Sequence, residues 1–241
     1  MKVLNWIGMA VFMLVSAGSI TLLAKSDDGT ASNNAKAVDI ESCDLKNKPK
    51  KVVKFDSSPN PVVVMKTDKG SFVLELFEDS APNTVANFIH LVEKGHYKGS
   101  DFHRVEGVDD KDKDKDALRI VQGGRKDGSE QFDWAILNEA AFPCGSGDRK
   151  KNVEGTISMA RSANLHSAGC QFFINLKDMP AWDNVRSPYA VFGKVVKNLD
   201  VVKKLRPDDK ILDAWVVQKG GHDYNPWVIR QGANSLAKAK K

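Results

Sequence analysis

Short apolar runs, separated by glycines and polar turns, recur over most of the chain. The stretches "PVVVMK" and "SFVLELF" flank the polar "TDKG", in which Gly70 fits the turn of a β-hairpin. Further strand-like runs are "LRIVQGG", "GTISMAR", "QFFINL", "YAVFGKVV" and "PWVIRQG". Many short strands of this kind predict a mainly β protein, built as a closed or nearly closed antiparallel barrel.

Two stretches have the periodicity of helices instead. In "DSAPNTVANFIHLVEKGHY" apolar side chains recur at i, i+3, i+4 and i+7, namely at Val85, Phe88, Ile89 and Val92. Pro82 suits the first turn of this helix, where a missing N–H costs nothing. The stretch "NLDVVKKLR" has apolar side chains on one side and predicts a second helix. The pattern therefore predicts two helices beside the strands.

The first 24 residues differ from the rest of the chain. Lys2 is followed by residues 3–24, which carry no charged side chain. A short positive start before an apolar run is typical of a secretory signal, and roughly 20 apolar residues also suffice to span a bilayer. Residues 1–24 therefore predict a hydrophobic N-terminal helix that is either a cleaved signal peptide or an uncut membrane anchor. Both alternatives predict export.

The composition changes again at two further points. Residues 25–59 are rich in Ser, Asn, Asp, Lys and Pro, and they predict a flexible, disordered tether. The strand-like and helical patterns predict one ordered domain over residues 60–233, and residues 234–241 predict a basic tail. The chain has 3 cysteines, and an odd number leaves at least one thiol unpaired in any compartment.

Charge and motif content exclude several classes of function. The net charge is +5, from 36 basic and 31 acidic residues, and the short basic clusters have no aromatic residues between them. We therefore expect no nucleic-acid binding. The 5 histidines show no zinc-binding spacing, so we expect no metal site. The chain also lacks G-x-S-x-G and the glycine-rich phosphate loops. By spacing alone, Arg104 could serve a site or simply pair with a structural carboxylate.

Six short blocks decide between these alternatives. "DFHRV", "QGG", "NEAAF", "GTISMAR", "CQFFINL" and "YAVFGKVV" follow one another in this order. Together they resemble the cyclophilin family of peptidyl-prolyl cis–trans isomerases, from about residue 60 to about residue 232, and most of all its bacterial branch. The resemblance implies an eight-stranded antiparallel closed barrel capped by two α-helices. It also implies that the protein needs no cofactor and that its substrates are proline-containing peptides and unfolded exported proteins. We expect a monomer. For a bacterial protein, export implies the periplasm, with attachment to the inner membrane through residues 3–24 if they are not cut.

The resemblance also assigns roles to individual residues. Arg104 matches the family's catalytic arginine, and Phe173 matches the floor of its proline pocket. The remaining substrate-binding positions implied by the family are His103, Ile120, Gln122, Ala160, Arg161, Trp182 and Tyr189. A guanidinium fits the chemistry, because a twisted prolyl amide loses resonance and its nitrogen becomes a better hydrogen-bond acceptor.

The chain departs from the family pattern between Arg104 and Gln122. A charged insertion near residues 106–117, "EGVDDKDKDKDA", separates the two blocks, and Arg119 stands where the family has a pocket phenylalanine. A charged, glycine-poor segment predicts a surface loop rather than a wall of the pocket. The missing phenylalanine keeps a second hypothesis open, namely a proline-binding chaperone or holdase with little turnover.

Overall fold

Two sheets and two helices make up the described part of the computed structural model, which covers residues 37, 39–54, 60–107, 118–126, 132–141, 149–230 and 236–239. The strands are Val53–Lys54 (β1), Val62–Thr67 (β2), Gly70–Leu76 (β3), Arg104–Glu106 (β4), Ile120–Gly123 (β5), Trp134–Ala135 (β6), Thr156–Met159 (β7), Phe172–Asn175 (β8), Val191–Lys197 (β9), Ile211–Lys219 (β10), Trp227–Arg230 (β11) and Leu236–Lys238 (β12). The helices are Pro82–Glu93 (α1) and Leu199–Lys203 (α2), with a short 3₁₀ helix at Pro180–Asp183. The prediction of a mainly β protein with two helices is confirmed.

The main sheet has nine strands in the order β1-β10-β2-β3-β9-β7-β8-β5-β4. This is one strand more than the predicted eight; β1 comes from the stretch before the predicted domain and pairs in parallel with β10 at the edge of the sheet. Within the described residues no ladder closes this sheet, although the stretch before β4 meets the start of β10 at the bridge between Asp101 and Lys210 and through backbone hydrogen bonds such as that from the Ile211 N–H to the Ser100 carbonyl at 2.8 Å. A second sheet of three strands, β12-β11-β6, is formed largely by the C-terminal stretch.

Helix α1 packs its predicted apolar face against the sheet. Val85, Phe88 and Ile89 are fully buried, as the i, i+3, i+4 spacing predicts. The Phe88 ring contacts Phe172 of β8 and Phe192 of β9, with centroid distances of 5.8 and 5.1 Å. This shared aromatic core fixes the inner face of the strands, so the side chains at alternate positions point to the other face.

Residues 39–54, here called the N-terminal strap, lie against the outer face of the sheet. Ile40, Cys43 and Leu45 pack on a buried apolar cluster made of Val62, Val64, Val73 and Trp215. The carbonyl of Leu45 accepts a hydrogen bond from Ser71 Oγ at 2.9 Å. Strand β2 is thus buried on both faces, which explains why its sequence is continuously apolar instead of alternating.

Several predicted segments lie wholly or partly outside the described residues. These are the hydrophobic segment 1–24, most of the tether over residues 25–59, residues 108–117 of the insertion and the ends of the basic tail. The strap belongs to the predicted tether, and residues 236–238 of the predicted tail form β12. Among the described helices, none has the length and apolar character that a membrane span requires.

Candidate active site

One cross-strand row brings the central predicted residues together. In the ladders, Arg104 of β4 lies opposite Gln122 of β5, and Gln122 lies opposite Phe173 of β8. Phe173 in turn lies opposite Ser158 of β7. Directly opposed residues share a face of a sheet, so these four side chains lie on the face turned away from the α1 core.

The next row on the same face supplies an apolar wall and an acid. Ile120 lies opposite both Glu106 of β4 and Asn175 of β8. Ile120 is 1% exposed, although it belongs to the face turned away from the core. The site face is therefore itself covered, which requires a layer of residues above it.

An aromatic cluster covers the predicted pocket floor. The Phe173 ring meets Trp182 at 4.7 Å and Tyr189 at 5.4 Å between centroids, in edge-to-face arrangements. Trp182 and Tyr189 also contact each other at 5.2 Å. Phe173 is only 2% exposed as a result. In this arrangement little of the Phe173 ring is open to a ligand.

Asn152 ties the segment that carries Trp182 to the sheet. Its backbone N–H and its Nδ2 both donate to Asp183 Oδ1 at 2.9 Å, at the end of the 3₁₀ helix. Its Oδ1 accepts hydrogen bonds from Ser158 Oγ at 2.7 Å and from Asn175 Nδ2 at 3.3 Å. This buried hydrogen-bond network fixes the position of the covering segment. The sequence analysis missed Asn152, whose place beside a glycine turn gave no signal.

Arg104 lies at the exposed edge of the row and carries an ion pair. Its Nε donates to Glu106 Oε1 at 2.6 Å, and the two side chains are 46% and 39% exposed. Both residues lie on one face of β4 because they are two positions apart. Arg104 is therefore the cross-strand neighbour of Gln122, while its guanidinium forms an ion pair with a carboxylate of its own strand.

Gln122 is the centre of a polar cluster next to Arg104. Its Nε2 lies 3.3 Å from His103 Nε2 and donates to Gln171 Oε1 at 3.1 Å. Burial and the nearby Arg125 cation lower the pKa of His103, so the imidazole is neutral at pH 7 and can accept from Gln122. The sequence analysis missed Gln171, although it lies two positions before Phe173 and the strand period of two places both on one face.

Ala160 and Arg161 follow β7 at the other end of the row. The Ala160 N–H donates to the Gln171 carbonyl at 3.0 Å, which continues the β7–β8 pairing. The Arg161 guanidinium stacks on the Tyr189 ring, with Cζ 4.3 Å from the ring centroid. The predicted residue Arg161 thus adjoins the aromatic cluster without touching the Arg104 end of the row.

The charged insertion begins and ends at one point beside β4 and β5. Gly107 has a φ of +68°, and a Cβ at this position would lie 2.6 Å from the Leu118 carbonyl oxygen. Only glycine suits both the left-handed backbone and this close approach. The β4–β5 ladder from Arg104 to Glu106 is consequently continuous although ten intervening residues lie outside the described part.

The cysteines are unsuited to nucleophilic chemistry where they are described. Burial raises the pKa of Cys170 to about 12, so its thiol stays protonated at physiological pH. Burial also raises the pKa of Cys43 in the N-terminal strap. The cross-strand row offers hydrogen-bond donors, a cation and an apolar floor, which suit the binding and distortion of a substrate rather than a covalent step.

Comparison with known proteins identifies the family. Residues 62–220 match the model of the cyclophilin type peptidyl-prolyl cis-trans isomerase/CLD family. A peptidyl-prolyl cis-trans isomerase of Acinetobacter baylyi is 37% identical over 150 residues, which are 61% of this chain and 72% of that protein. Peptidyl-prolyl cis-trans isomerase B of Escherichia coli is 34% identical over 157 residues, which are 60% of this chain and 84% of that protein.

A solved structure supports the same fold. The crystal structure of a cyclophilin type peptidyl-prolyl cis-trans isomerase of Cryptosporidium parvum aligns with a TM-score of 0.50 and 22% sequence identity, covering 66% of this chain and 98% of that one. The family match spans more than half of the chain and contains the whole cross-strand row from Arg104 to Ser158. The chain therefore belongs to the cyclophilin family and is a peptidyl-prolyl cis–trans isomerase.

Proposed function

We propose that Arg104 catalyses rotation of Xaa–Pro bonds in exported polypeptides, without a covalent intermediate, by stabilising the twisted amide above the Phe173 floor. The observation that carries the proposal is the cross-strand row in which Arg104, Gln122 and Phe173 are successive neighbours. A peptide lying across this row meets a cation, a hydrogen-bonding amide and an apolar ring within three strands.

The chemistry follows from the electronic structure of the amide. Resonance gives the prolyl C–N bond a rotation barrier of about 18–20 kcal/mol. Twisting the bond removes the resonance and leaves a lone pair on the proline nitrogen. A guanidinium that donates a hydrogen bond to this nitrogen binds the twisted state more tightly than the planar state, and only such differential binding accelerates the reaction.

Arginine alone does not account for the whole acceleration. A hydrogen bond to a charged group contributes roughly 1.5–3 kcal/mol, whereas a 10⁵-fold acceleration requires about 7 kcal/mol. The apolar pocket supplies a second contribution, because the twisted amide is less dipolar and loses less by leaving water. Phe173, Ile120 and the covering rings form that apolar surface, while Gln122 holds the peptide backbone.

Two features of the site oppose turnover. Glu106 competes with the substrate for the Arg104 guanidinium, and Trp182 and Tyr189 cover Phe173. Substrate binding must displace Glu106 from Arg104 and move Trp182 or Tyr189 away from Phe173. These features favour the alternative function, a proline-binding holdase with little turnover, as the second candidate.

Replacement of Arg104 separates the two candidates. We expect Arg104→Ala to lower kcat/KM in a prolyl isomerisation assay by about 10- to 100-fold, the equivalent of one charged hydrogen bond. Arg206→Ala, which removes an exposed arginine outside the row, serves as the matched control. Equal activity of the wild-type and Arg104→Ala proteins would refute the role of Arg104. Tight binding of a proline peptide by an inactive wild type would favour the holdase.

We also propose that the protein acts in the periplasm as a monomer, held at the inner membrane if residues 1–24 remain uncut. The positive start and the apolar run of residues 3–24 support export. N-terminal sequencing of the protein recovered from a bacterial periplasmic fraction tests this, and full-length protein in the cytosolic fraction would contradict it. The bridge between Asp101 and Lys210 supports the further proposal that the main sheet closes into the family's eight-stranded barrel.

A further inference from the structure

We infer that Arg161 selects substrates with an acidic side chain close to the Xaa–Pro bond. The inference rests on the proposed function, because it assigns a charge preference to the same groove. It depends on three properties of Arg161, namely a fixed position, an uncompensated charge and a short distance to the predicted proline pocket.

Hydrogen bonds and a ring hold the Arg161 guanidinium in one position. Its Nη2 donates to Ser187 Oγ at 2.8 Å and to the Ser187 carbonyl at 3.0 Å, and its Nη1 donates to the Ser162 carbonyl at 3.0 Å. The face of the guanidinium stacks on Tyr189. A planar group held along its edge and on one face loses little entropy when a ligand binds it.

The charge of this guanidinium has no carboxylate partner within the described residues. The acceptors of its hydrogen bonds are neutral hydroxyl and carbonyl oxygens, and its Nε is buried without a hydrogen-bond partner. Arg104 differs, because Glu106 neutralises it at 2.6 Å. Unlike Arg104, Arg161 therefore retains a positive charge that an incoming carboxylate would meet.

Arg161 also lies near enough to the pocket to contact a residue beside the proline. The Tyr189 ring lies between the guanidinium and Phe173. Its centroid is 4.3 Å from Cζ of Arg161 and 5.4 Å from the centroid of the Phe173 ring. An extended peptide advances about 3.5 Å per residue. A carboxylate one to three residues from a proline seated at Phe173 thus comes within reach of the guanidinium.

A charge preference can be measured with matched peptides. Three series of proline peptides carry Glu, Gln or Lys at successive positions on either side of the Xaa–Pro bond. For the best position we expect kcat/KM to be about two- to fivefold higher with Glu than with Gln, as for a partly exposed ion pair, and lower with Lys. Salt at about 0.5 M should reduce the ratio, because it screens exposed charges.

Variants then assign the preference to Arg161. Arg161→Gln should abolish the Glu-to-Gln ratio, whereas Arg161→Lys should retain part of it. Arg186→Gln, which removes an exposed arginine from the neighbouring loop, should leave the ratio unchanged. Thermal melting of each variant monitors the loop, because the Arg161 hydrogen bonds also anchor Ser187.

The outcomes distinguish this inference from the proposed function. Peptide binding is measured in parallel by fluorescence anisotropy, so the ranking of Glu, Gln and Lys peptides is obtained even if turnover is low. Equal binding and equal kcat/KM for the Glu and Gln peptides at every position would overturn the inference. So would a Glu preference that persists in Arg161→Gln. Preferential binding of Glu peptides without isomerisation would leave the inference standing and contradict the proposed mechanism alone.

Discussion

At the residue scale, Arg104 forms an ion pair with Glu106, a carboxylate of its own strand. The carboxylate lies 2.6 Å from Nε of the arginine that we assign to catalysis. Half-exposed pairs of this kind are worth less than about 1 kcal/mol, so the substrate can displace Glu106 at a small cost.

Glu106→Gln should therefore increase activity. Removing the charge frees Arg104 for the substrate, and we expect kcat/KM to rise by up to about fivefold in the isomerisation assay. Glu154→Gln, which breaks a surface ion pair with Lys203 outside the row, is the control. A decrease in the Glu106→Gln variant would instead mean that the carboxylate positions the guanidinium for catalysis.

We expect His103 to make the site sensitive to acid. Because burial and Arg125 lower its pKa below 6.5, the folded protein disfavours the charged imidazole, although Asp101 partly offsets this. As the pH falls below 6.5, the unfolded chain binds a proton at His103 before the folded protein does. The free energy of unfolding is therefore highest above pH 6.5 and decreases as the pH falls towards the lowered pKa. A protonated ring can no longer accept a hydrogen bond from Gln122.

We expect kcat/KM to be constant from about pH 7.5 to about pH 6.5 and to fall at lower pH. Residue 103 cannot titrate in His103→Gln, so kcat/KM of this variant should stay constant below about pH 6.5, where that of the wild type falls. The rates are best measured in a constant-ionic-strength buffer, since salt alone alters charged contacts. An acid limb of the same midpoint in the variant would assign the titration to another group.

The residues of the site differ in how far the sequence predicts them. The blocks around Arg104, Gln122 and Phe173 indicate the family, and strand alternation alone suffices to add Gln171 to their face. The partners of those side chains cannot be predicted in this way. The contact of Glu106 with Arg104 depends on side-chain rotamers, and the rings over Phe173 depend on the packing of a loop. Spacing along a strand contains no information about either.

At the element scale, the N-terminal strap gives β2 a second buried face. Val62 and Val64 point away from the α1 core and are buried by Ile40 and Leu45. The apolar run "PVVVMK" correctly predicts a strand, yet the covering partner was assigned to a tether because its own composition is polar. Three well-spaced apolar residues are enough to cover the face when backbone hydrogen bonds hold the rest of the strap.

Polar substitutions in the strap should destabilise the domain. We expect Ile40→Ser combined with Leu45→Ser to lower the free energy of unfolding by about 2 kcal/mol, since both side chains are partly buried. Urea denaturation followed by tryptophan fluorescence measures the change. Lys46→Ser combined with Lys50→Ser is the matched control at exposed positions. Identical midpoints for the two double variants would show that the strap contributes nothing to stability.

At the scale of the whole molecule, the folded unit extends beyond the family match in both directions. The match covers residues 62–220, but β1 precedes it and β11 and β12 follow it. The C-terminal stretch is held to α1 by Asn83, which exchanges two hydrogen bonds of 2.7 and 2.9 Å with the backbone of Trp227. Val228 is fully buried beneath it.

A fragment limited to residues 60–220 should therefore be less stable than one comprising residues 39–239. We expect a difference of at least about 2 kcal/mol, because the shorter fragment exposes the Trp215 cluster and loses the packing of Val228. Both are compared by urea denaturation, with light scattering to detect aggregation through the exposed apolar patch. Equal stability would mean that the family-sized core is self-sufficient.

The two ends of the insertion lie next to each other, at Gly107 and Leu118. This makes the loop a suitable place to insert foreign sequence. Closing a longer loop between the same two anchor points costs only about 0.6 kcal/mol for each doubling of its length. Foreign sequence, such as an epitope or a fluorescent reporter, can thus replace residues 108–117 while the β4–β5 register is kept. A label placed there would be anchored beside β4 and β5, the strands that carry Arg104 and Gln122.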